Sequence, residues 1–372
     1  MAEHQRLRER VDARVAAVLD RRTVDRLSTP SSRAVPPPAA IIALALATVV
    51  HLSVLTLLAG GVGLVVAGDN LVQRLAGIVL LLPVLLLVRR PHRDGADEVT
   101  PEAAPVLTDL VAEVAGALGT RPPTYLGIDE DTNAYARRSG LRTRTLVLGA
   151  PLWVALGPQA RIALLGHELG HFARRDVVHG RYVGTALATL QTWADASSPG
   201  EERASNLGHT PIIATVALWP MRMASTGSLR VLGWVNSAAS RRAELLADLE
   251  SAVVAGTPAT IEVLELMLAA DVIDRAANRA AVDPRRPDLA VEIRARVTAL
   301  DERDHAEALL ASGERSGIDR THPPTGERLR LQRSLPPSPG TIVLDAERVA
   351  AIDGELRPFL DAALRRRADW YR

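Results

Sequence analysis

From Ala39 to Gly68 the chain carries no residue charged at neutral pH, apart from a potential charge on His51. A helix needs only about 20 apolar residues to cross the hydrocarbon core of a bilayer, so this run is more than long enough. A core helix of comparable length in a soluble protein normally shows a polar face, which this run lacks. It also begins too late and runs too long for a cleaved signal peptide. Gly68, Asp69 and Asn70 are turn formers and mark a break. A second apolar run follows from Leu71 to Val88, with Gln73 and Arg74 near its start, where an arginine can snorkel to the interface. Pro83 inside it would kink a soluble helix but is tolerated in a membrane helix. The two runs predict a transmembrane helical hairpin over residues 37–92. His51 is expected to make an interhelical hydrogen bond rather than to bind a metal.

Arginine placement sets the expected orientation. Arg21, Arg22, Arg26 and Arg33 precede the first run, Arg89, Arg90 and Arg93 follow the second, and the connection offers only Asp69 and Arg74. Positively charged flanks stay in the cytoplasm. Both ends of the hairpin, and everything after about residue 92, are therefore expected to be cytosolic.

The remaining composition narrows the chemistry. Lys and Arg total 44 against 43 Asp and Glu, a net charge of +1, which gives no electrostatic case for a nucleic-acid partner. No cysteine is present, so disulfides, thiolate metal sites and cysteine nucleophiles are excluded. A metal site would have to use histidines and carboxylates.

Four segments are expected. Residues 1–36 are Arg-rich, and Leu7, Val11, Val15 and Val18 recur at helical spacing, so an amphipathic helix facing solvent or the membrane surface is predicted. The hairpin follows. Residues 100–335 are expected to form the main folded domain, and residues 336–372 a C-terminal helical extension. Within the third segment, helices are expected over residues 101–118 (or starting a few residues later, at Pro105), 157–178, 238–255, 260–281 and 289–312, and short strands at Tyr125–Ile128 and Thr143–Leu148. Residues 182–239 are moderately apolar and fit either membrane-associated or ordinary amphipathic helices. After Pro339 a strand-like run precedes a basic amphipathic helix from Asp345 to about Trp370.

The sequence His167-Glu168-Leu169-Gly170-His171 lies in the middle of the helix expected over 157–178. Histidines four residues apart share one helical face, so both imidazoles can converge on a single zinc ion. Glu168 then sits beside the metal, where it can take a proton from the attacking water and return it to the leaving amine. Gly170 costs about 1 kcal/mol of helix propensity and would allow a neighbour to approach closely. A catalytic zinc site needs a third protein ligand. The best candidate is Glu244, one turn before Asp248; Asp248 would accept a hydrogen bond from a ligand histidine. On spacing alone the same pair also reads as a solvated acidic face paired with Arg241 or Arg242.

Together these segments resemble the HtpX-like and CAAX prenyl protease-type membrane zinc metalloendopeptidases, on the gluzincin side of the zincins. The resemblance extends from the histidine helix to Arg242–Asp248, to Asn133-Ala134-Tyr135 upstream, and to Thr321-His322-Pro323-Pro324 followed by Arg328. It implies an α+β, mainly α fold: a zincin-like peptidase domain with a small antiparallel sheet, preceded by the transmembrane helical hairpin. It implies one Zn2+ per chain, bound by His167, His171 and Glu244, with Glu168 as general base and Asp248 orienting a ligand. Asn133, Ala134 and Tyr135 would pair with an extended substrate by strand addition. His322 and Arg328 would stabilise the developing oxyanion or brace Glu244. Two spans rather than seven favour the HtpX-like side. The expected protein is an integral membrane zinc endopeptidase of a bacterial cell membrane. Its partners would be the lipid bilayer and a membrane or membrane-associated protein substrate. A non-catalytic adaptor or sensor that retains the fold is the alternative, and the intact Glu168 argues against it.

Overall fold

A computed structural model describes residues 22–25, 27, 38–87, 95–139, 143–174, 176–197, 212–283, 285, 288–299 and 323–369. The amphipathic helix expected around residues 7–18, the flanking Arg21, Arg33, Arg89 and Arg90, residues 300–312 and His322 lie outside the described residues. The chain divides into two compact units. Pro36–Arg93 and His179–Ala239 form one; Met1–Val35, Asp94–Val178 and Ser240–Arg372 form the other.

The helical unit begins with α1 (Pro38–Ala67) and α2 (Leu71–Leu85), joined at Gly68–Asn70, where the Asn70 side chain caps α2 by accepting from the Gln73 N–H. The break falls where the turn formers put it. Helix α1 is long and apolar enough to cross a membrane; α2 is a shorter apolar helix of 15 residues. The small residues Ala43 and Ala47 of α1 face inward, with Val50, onto Val183, Leu190, Trp193, Leu232 and Val235. Two polar groups inside the unit bond across helices. His51 Nε2 lies 3.0 Å from the Tyr182 carbonyl oxygen, the interhelical bond expected of it, and Trp193 Nε1 donates to the Pro83 carbonyl at 2.9 Å. Described residues at both ends of the 182–239 stretch, open between two readings in the sequence, share a core with α1.

The second unit is built around a four-stranded sheet: β1 (Asp97–Glu98), β2 (Tyr125–Asp129), β3 (Ala134–Ser139) and β4 (Thr143–Gly149), in the order β1-β2-β4-β3. The sheet is mixed, which corrects the expected antiparallel one: β4 runs antiparallel to β3 but parallel to β2. The cause is the central place of β4. Its Leu146, Val147 and Leu148 are all buried, so the strand needs cover on both faces and a neighbour on each side. The polar β3 takes the edge. The turn between β2 and β3 passes directly over Gly149, where a Cβ would meet the Asp131 carbonyl oxygen at 1.9 Å; the Gly149 N–H donates to the Asn133 carbonyl at 2.7 Å.

The helices that follow are α3 (Pro105–Ala117), α4 (Ala150–Ala155) and α5 (Pro158–Ala173) of this unit; α6 (Asp176–Ala196), nearly all of which belongs to the helical unit; α7 (Ile212–Ala255), which passes from the helical unit to this one after Ala239; and α8 (Thr257–Leu268), α9 (Ala270–Val282), α10 (Leu289–Thr298), α11 (Thr325–Ser334) and α12 (Ala346–Asp369) of this unit. The α3 helix starts at Pro105 rather than residue 101, because proline suits the first helical turn and cannot continue one. The expected strand after Pro339 is a correction too. The N–H groups of Thr341 and Ile342 both donate to the Val254 carbonyl at 3.0 Å, and Gln159 Nε2 donates to the Ile342 carbonyl at 2.6 Å, so that backbone is spent on helix ends.

Helix α12 lies inside the fold. Ile352, Leu356 and Ala363 are buried in the same core as Leu110, Leu148, Trp153 and Ile162. Asp353 pairs at 2.7 Å with the buried Arg161 of α5, and the Glu355 carboxylate accepts from the Val106 and Leu107 N–H groups at the start of α3. Arg366 bonds Glu130 and Asp97, and Arg367 bonds Asn278 and the Glu130 carbonyl, so the β2–β3 turn is held from outside. Val24 and Leu27 of the N-terminal segment are buried against Leu245, Leu249 and Leu331. That part of the segment serves as packing rather than as a solvent or membrane face.

Candidate active site

Helix α5 meets the second half of α7 along a stripe of small residues. A Cβ on Gly166 would lie 2.5 Å from Val254 Cγ2 and 3.0 Å from Ser251 Cα; one on Gly170 would lie 3.2 Å from Glu250 Cβ. Glycines at i and i+4 therefore let the two backbones approach closely. Gly170 was legible as such a position; Gly166 was missed, and its signal was the four-residue spacing to Gly170 from the position just before the histidine motif. The approach brings His167, His171 and Glu244 together, with one ligand atom from each lying within 4.8 Å of the others. His167 Nε2 is 3.5 Å from Glu244 Oε2, and His171 Nε2 is 3.6 Å from Glu244 Oε1. The two imidazoles stand edge to face, 5.0 Å apart. Two imidazole nitrogens and a carboxylate oxygen converging on one point are the donor set of a three-ligand zinc site. The alternative reading of Glu244, a solvated acidic face, does not describe a side chain this buried.

Behind these three side chains lies a buried ionic chain. The His167 Nδ1–H donates to Asp248 Oδ1 at 2.9 Å. Arg328 grips the same carboxylate with two donors, Nη2 to Oδ1 at 2.7 Å and Nε to Oδ2 at 2.8 Å. Asp248 and Arg328 are 1% and 3% exposed, so neither charge would be stable there without the other. Burial pushes the Asp248 carboxyl up, but Arg328 and His167 outweigh it and hold it below the usual carboxylate range. Burial likewise pushes the His167 imidazole down, while hydrogen bonds to Asp248 and Glu244 raise it to about 10. Arg328 is hydrogen-bonded to Asp248, and the Glu244 carboxylate also acts on its charge.

Glu168 is 7% exposed and lines a cavity of about 60 Å³ together with His167, Glu244, Asn133 and Ala134. Strand β3 thus starts at the site and runs away from it as an edge, with Tyr135 next in line opposite Val147. The far wall of the cavity comes from α8, through Val263, Leu264 and Met267. Sequence reasoning missed this wall; its apolar helical spacing was visible, but nothing tied it to the metal.

A helix-borne histidine pair with a buried glutamate between them, completed by a carboxylate from a second helix, defines a class, the metallopeptidases. The profile of peptidase family M48 matches residues 101–334, and the chain belongs to that family. A protease HtpX homolog of Persephonella marina is 25% identical over 245 residues, covering 63% of this chain and 76% of its own length. Those of Thermoplasma acidophilum and Moorella thermoacetica are 27% and 28% identical, over 42% and 49% of this chain and 52% and 63% of their own lengths. The chain is an HtpX-like M48 metallopeptidase.

Proposed function

We propose that the chain is a membrane-tethered zinc endopeptidase in which Glu168 is the general base. The observation that carries this is the convergence of His167, His171 and Glu244 on one point, with the buried Glu168 in the same cavity. Bound zinc would supply Lewis acidity, acidifying a water molecule and polarising the peptide carbonyl. Glu168 accepts the proton of the attacking water and delivers it to the leaving amine. Asp248 fixes the His167 ring with Nε2 toward the ligand point, and Arg328 fixes Asp248. Asn133, Ala134 and Tyr135 hydrogen-bond the substrate backbone along the edge of β3. Substrates are membrane or membrane-associated proteins, reached from a cytosolic catalytic unit anchored in a bacterial membrane by α1 and α2. The apolar α1 and the flanking arginines support this placement.

The test uses the full chain in detergent, as wild type and Glu168→Gln. Elemental analysis is expected to find one zinc per chain in both. Casein cleavage is expected to fall at least about a thousandfold in the variant. Zinc without cleavage in the wild type would favour the adaptor reading; no zinc would sink the whole proposal.

A further inference from the structure

We propose that Met267 is an oxidation site at the rim of the active site, where peroxide converts the thioether to a sulfoxide that Arg328 holds and that slows cleavage. Only the effect on cleavage rests on the peptidase reading. Met267 stands on α8 and lines the same cavity as His167 and Glu168. It is 37% exposed, whereas its neighbours on that wall, Val263 and Leu264, are buried. The chain has no cysteine and four methionines, at positions 1, 221, 223 and 267. Met221 and Met223 belong to the helical unit, so Met267 is the one sulfur of the second unit among the described residues. With no thiol to react first, an oxidant entering the cavity meets this thioether.

The surroundings of Met267 give its oxidised form a partner. Arg328 donates from Nε and Nη2 to Asp248, and its Nη2 also lies 3.4 Å from His167 Nδ1. Its Nη1 donates to Met267 Sδ at 3.8 Å and, among the described residues, to nothing else. A thioether is a weak acceptor, so one donor group of a buried guanidinium is poorly answered. A sulfoxide oxygen is polar and accepts from a charged donor strongly. The burial of Nη1 is no obstacle, because the acceptor is made on a side chain already in contact with it. In the reaction a sulfur lone pair forms an S–O bond to one peroxide oxygen and the O–O bond breaks. The proton on the bound oxygen passes to the departing one, which leaves as water. Sulfur is oxidised by two electrons and hydrogen peroxide is reduced. The Nη1–H occupies one of the two sulfur lone pairs and leaves the other to react, so the fold directs one sulfoxide epimer. The product places a polar oxygen on an apolar wall of a cavity of about 60 Å³. It also draws Nη1 toward α8, and with it the guanidinium that holds Asp248 behind His167.

The zinc-loaded full chain is treated with hydrogen peroxide in detergent, as wild type and as Met267→Leu, which keeps volume and apolar character. Met267→Ile stands in should the first variant fail to fold. Two readouts need no catalysis. Peptide mapping by mass spectrometry is expected to find Met267 oxidised in the folded wild type; a Met267 that oxidises only after unfolding would overturn the proposal. The oxidised peptide is then offered to the two methionine sulfoxide reductases, each of which takes one epimer. One epimer is expected in about tenfold excess, and an equal mixture would overturn the proposal by showing that Arg328 does not hold the sulfur. The third readout is casein cleavage before and after peroxide, compared within each protein. Wild type is expected to slow about tenfold, whereas Met267→Leu keeps most of its own starting rate. Equal slowing of both would overturn the control of cleavage by Met267. A wild type that forms one epimer at Met267 but never cleaves casein, even before peroxide, would sink the peptidase reading and keep the oxidation site.

Discussion

Helices α1 and α5 are built by opposite rules. Of the 30 residues of α1 only Ala43, Ala47, Val50 and Gly61 are buried, and large apolar residues such as Ile41, Val49, Leu55 and Val66 point outward. In α5, 11 of 16 residues are buried, Arg161 and Glu168 among them. Small-in and large-out is the arrangement of a helix whose surroundings are as apolar as its own side chains. Charge-in is the arrangement of a site, where each ion is answered by another: Arg161 by Asp353, Asp248 by Arg328. Hydropathy along the chain therefore marks a helix long and apolar enough to cross a membrane, while buried charge marks where distant helices are tied together.

The largest effect is expected where that charge pairing is broken. Arg328→Ala leaves the Asp248 carboxylate buried beside His167 without its guanidinium. We expect a loss of about 3–5 kcal/mol in denaturant unfolding and a zinc affinity about 10–100-fold weaker in chelator competition. An unchanged unfolding midpoint would mean that the ionic chain does not support the ligands. A smaller effect tests the other side of the contrast. Leu55→Arg on the outward face of α1 is expected to cost about 3 kcal/mol of membrane integration in a glycosylation-reporter assay. An arginine at the similarly exposed Val291 of α10 should change stability by less than about 0.5 kcal/mol. Equal tolerance at both positions would remove the distinction between the two surroundings.

The smallest effect concerns Asp129, at the end of β2. Burial pushes its carboxyl up to about 6 from an ordinary value of 3.8, with help from Asp131 and Glu130, against the Asp131 N–H and Arg366. The folded state therefore binds the proton more tightly than the unfolded state, and stability falls as pH rises from about 4 to about 6. Asp129→Asn is expected to stabilise by about 2 kcal/mol at pH 8 and to be neutral at pH 3.5, measured by thermal unfolding at both. A gain of equal size at both pH values would show that ionisation is not its source.

The metal helix was legible because its geometry is local: two histidines one turn apart face the same way in any α-helix. Glu244 and Asp248 were legible for the same reason, although spacing alone left a surface reading open that only their burial closed. Arg328 entered through resemblance, since an arginine 80 residues from Asp248 carries no sign of its partner. The order of the sheet was not legible, because which strand takes the centre is decided by contacts between distant segments. The internal place of α12 was missed likewise. Its stripe of Ile352, Leu356 and Ala363 is diluted by arginines whose acceptors lie far back in the chain, at Asp97, Glu130 and Asp274.

That last helix has a consequence for the order in which the protein becomes active. A ribosome releases residues 346–369 after every metal ligand has already emerged. Until then Arg161 lacks Asp353, the start of α3 lacks Glu355, and the turn leading into β3 lacks Arg366 and Arg367. Chains elongate at about 5–20 residues per second, so His167 waits on the order of ten seconds or more between its own synthesis and the completion of the core that holds its helix. The helix that carries His167 and His171 is therefore fully packed only once residues 346–369 have been made.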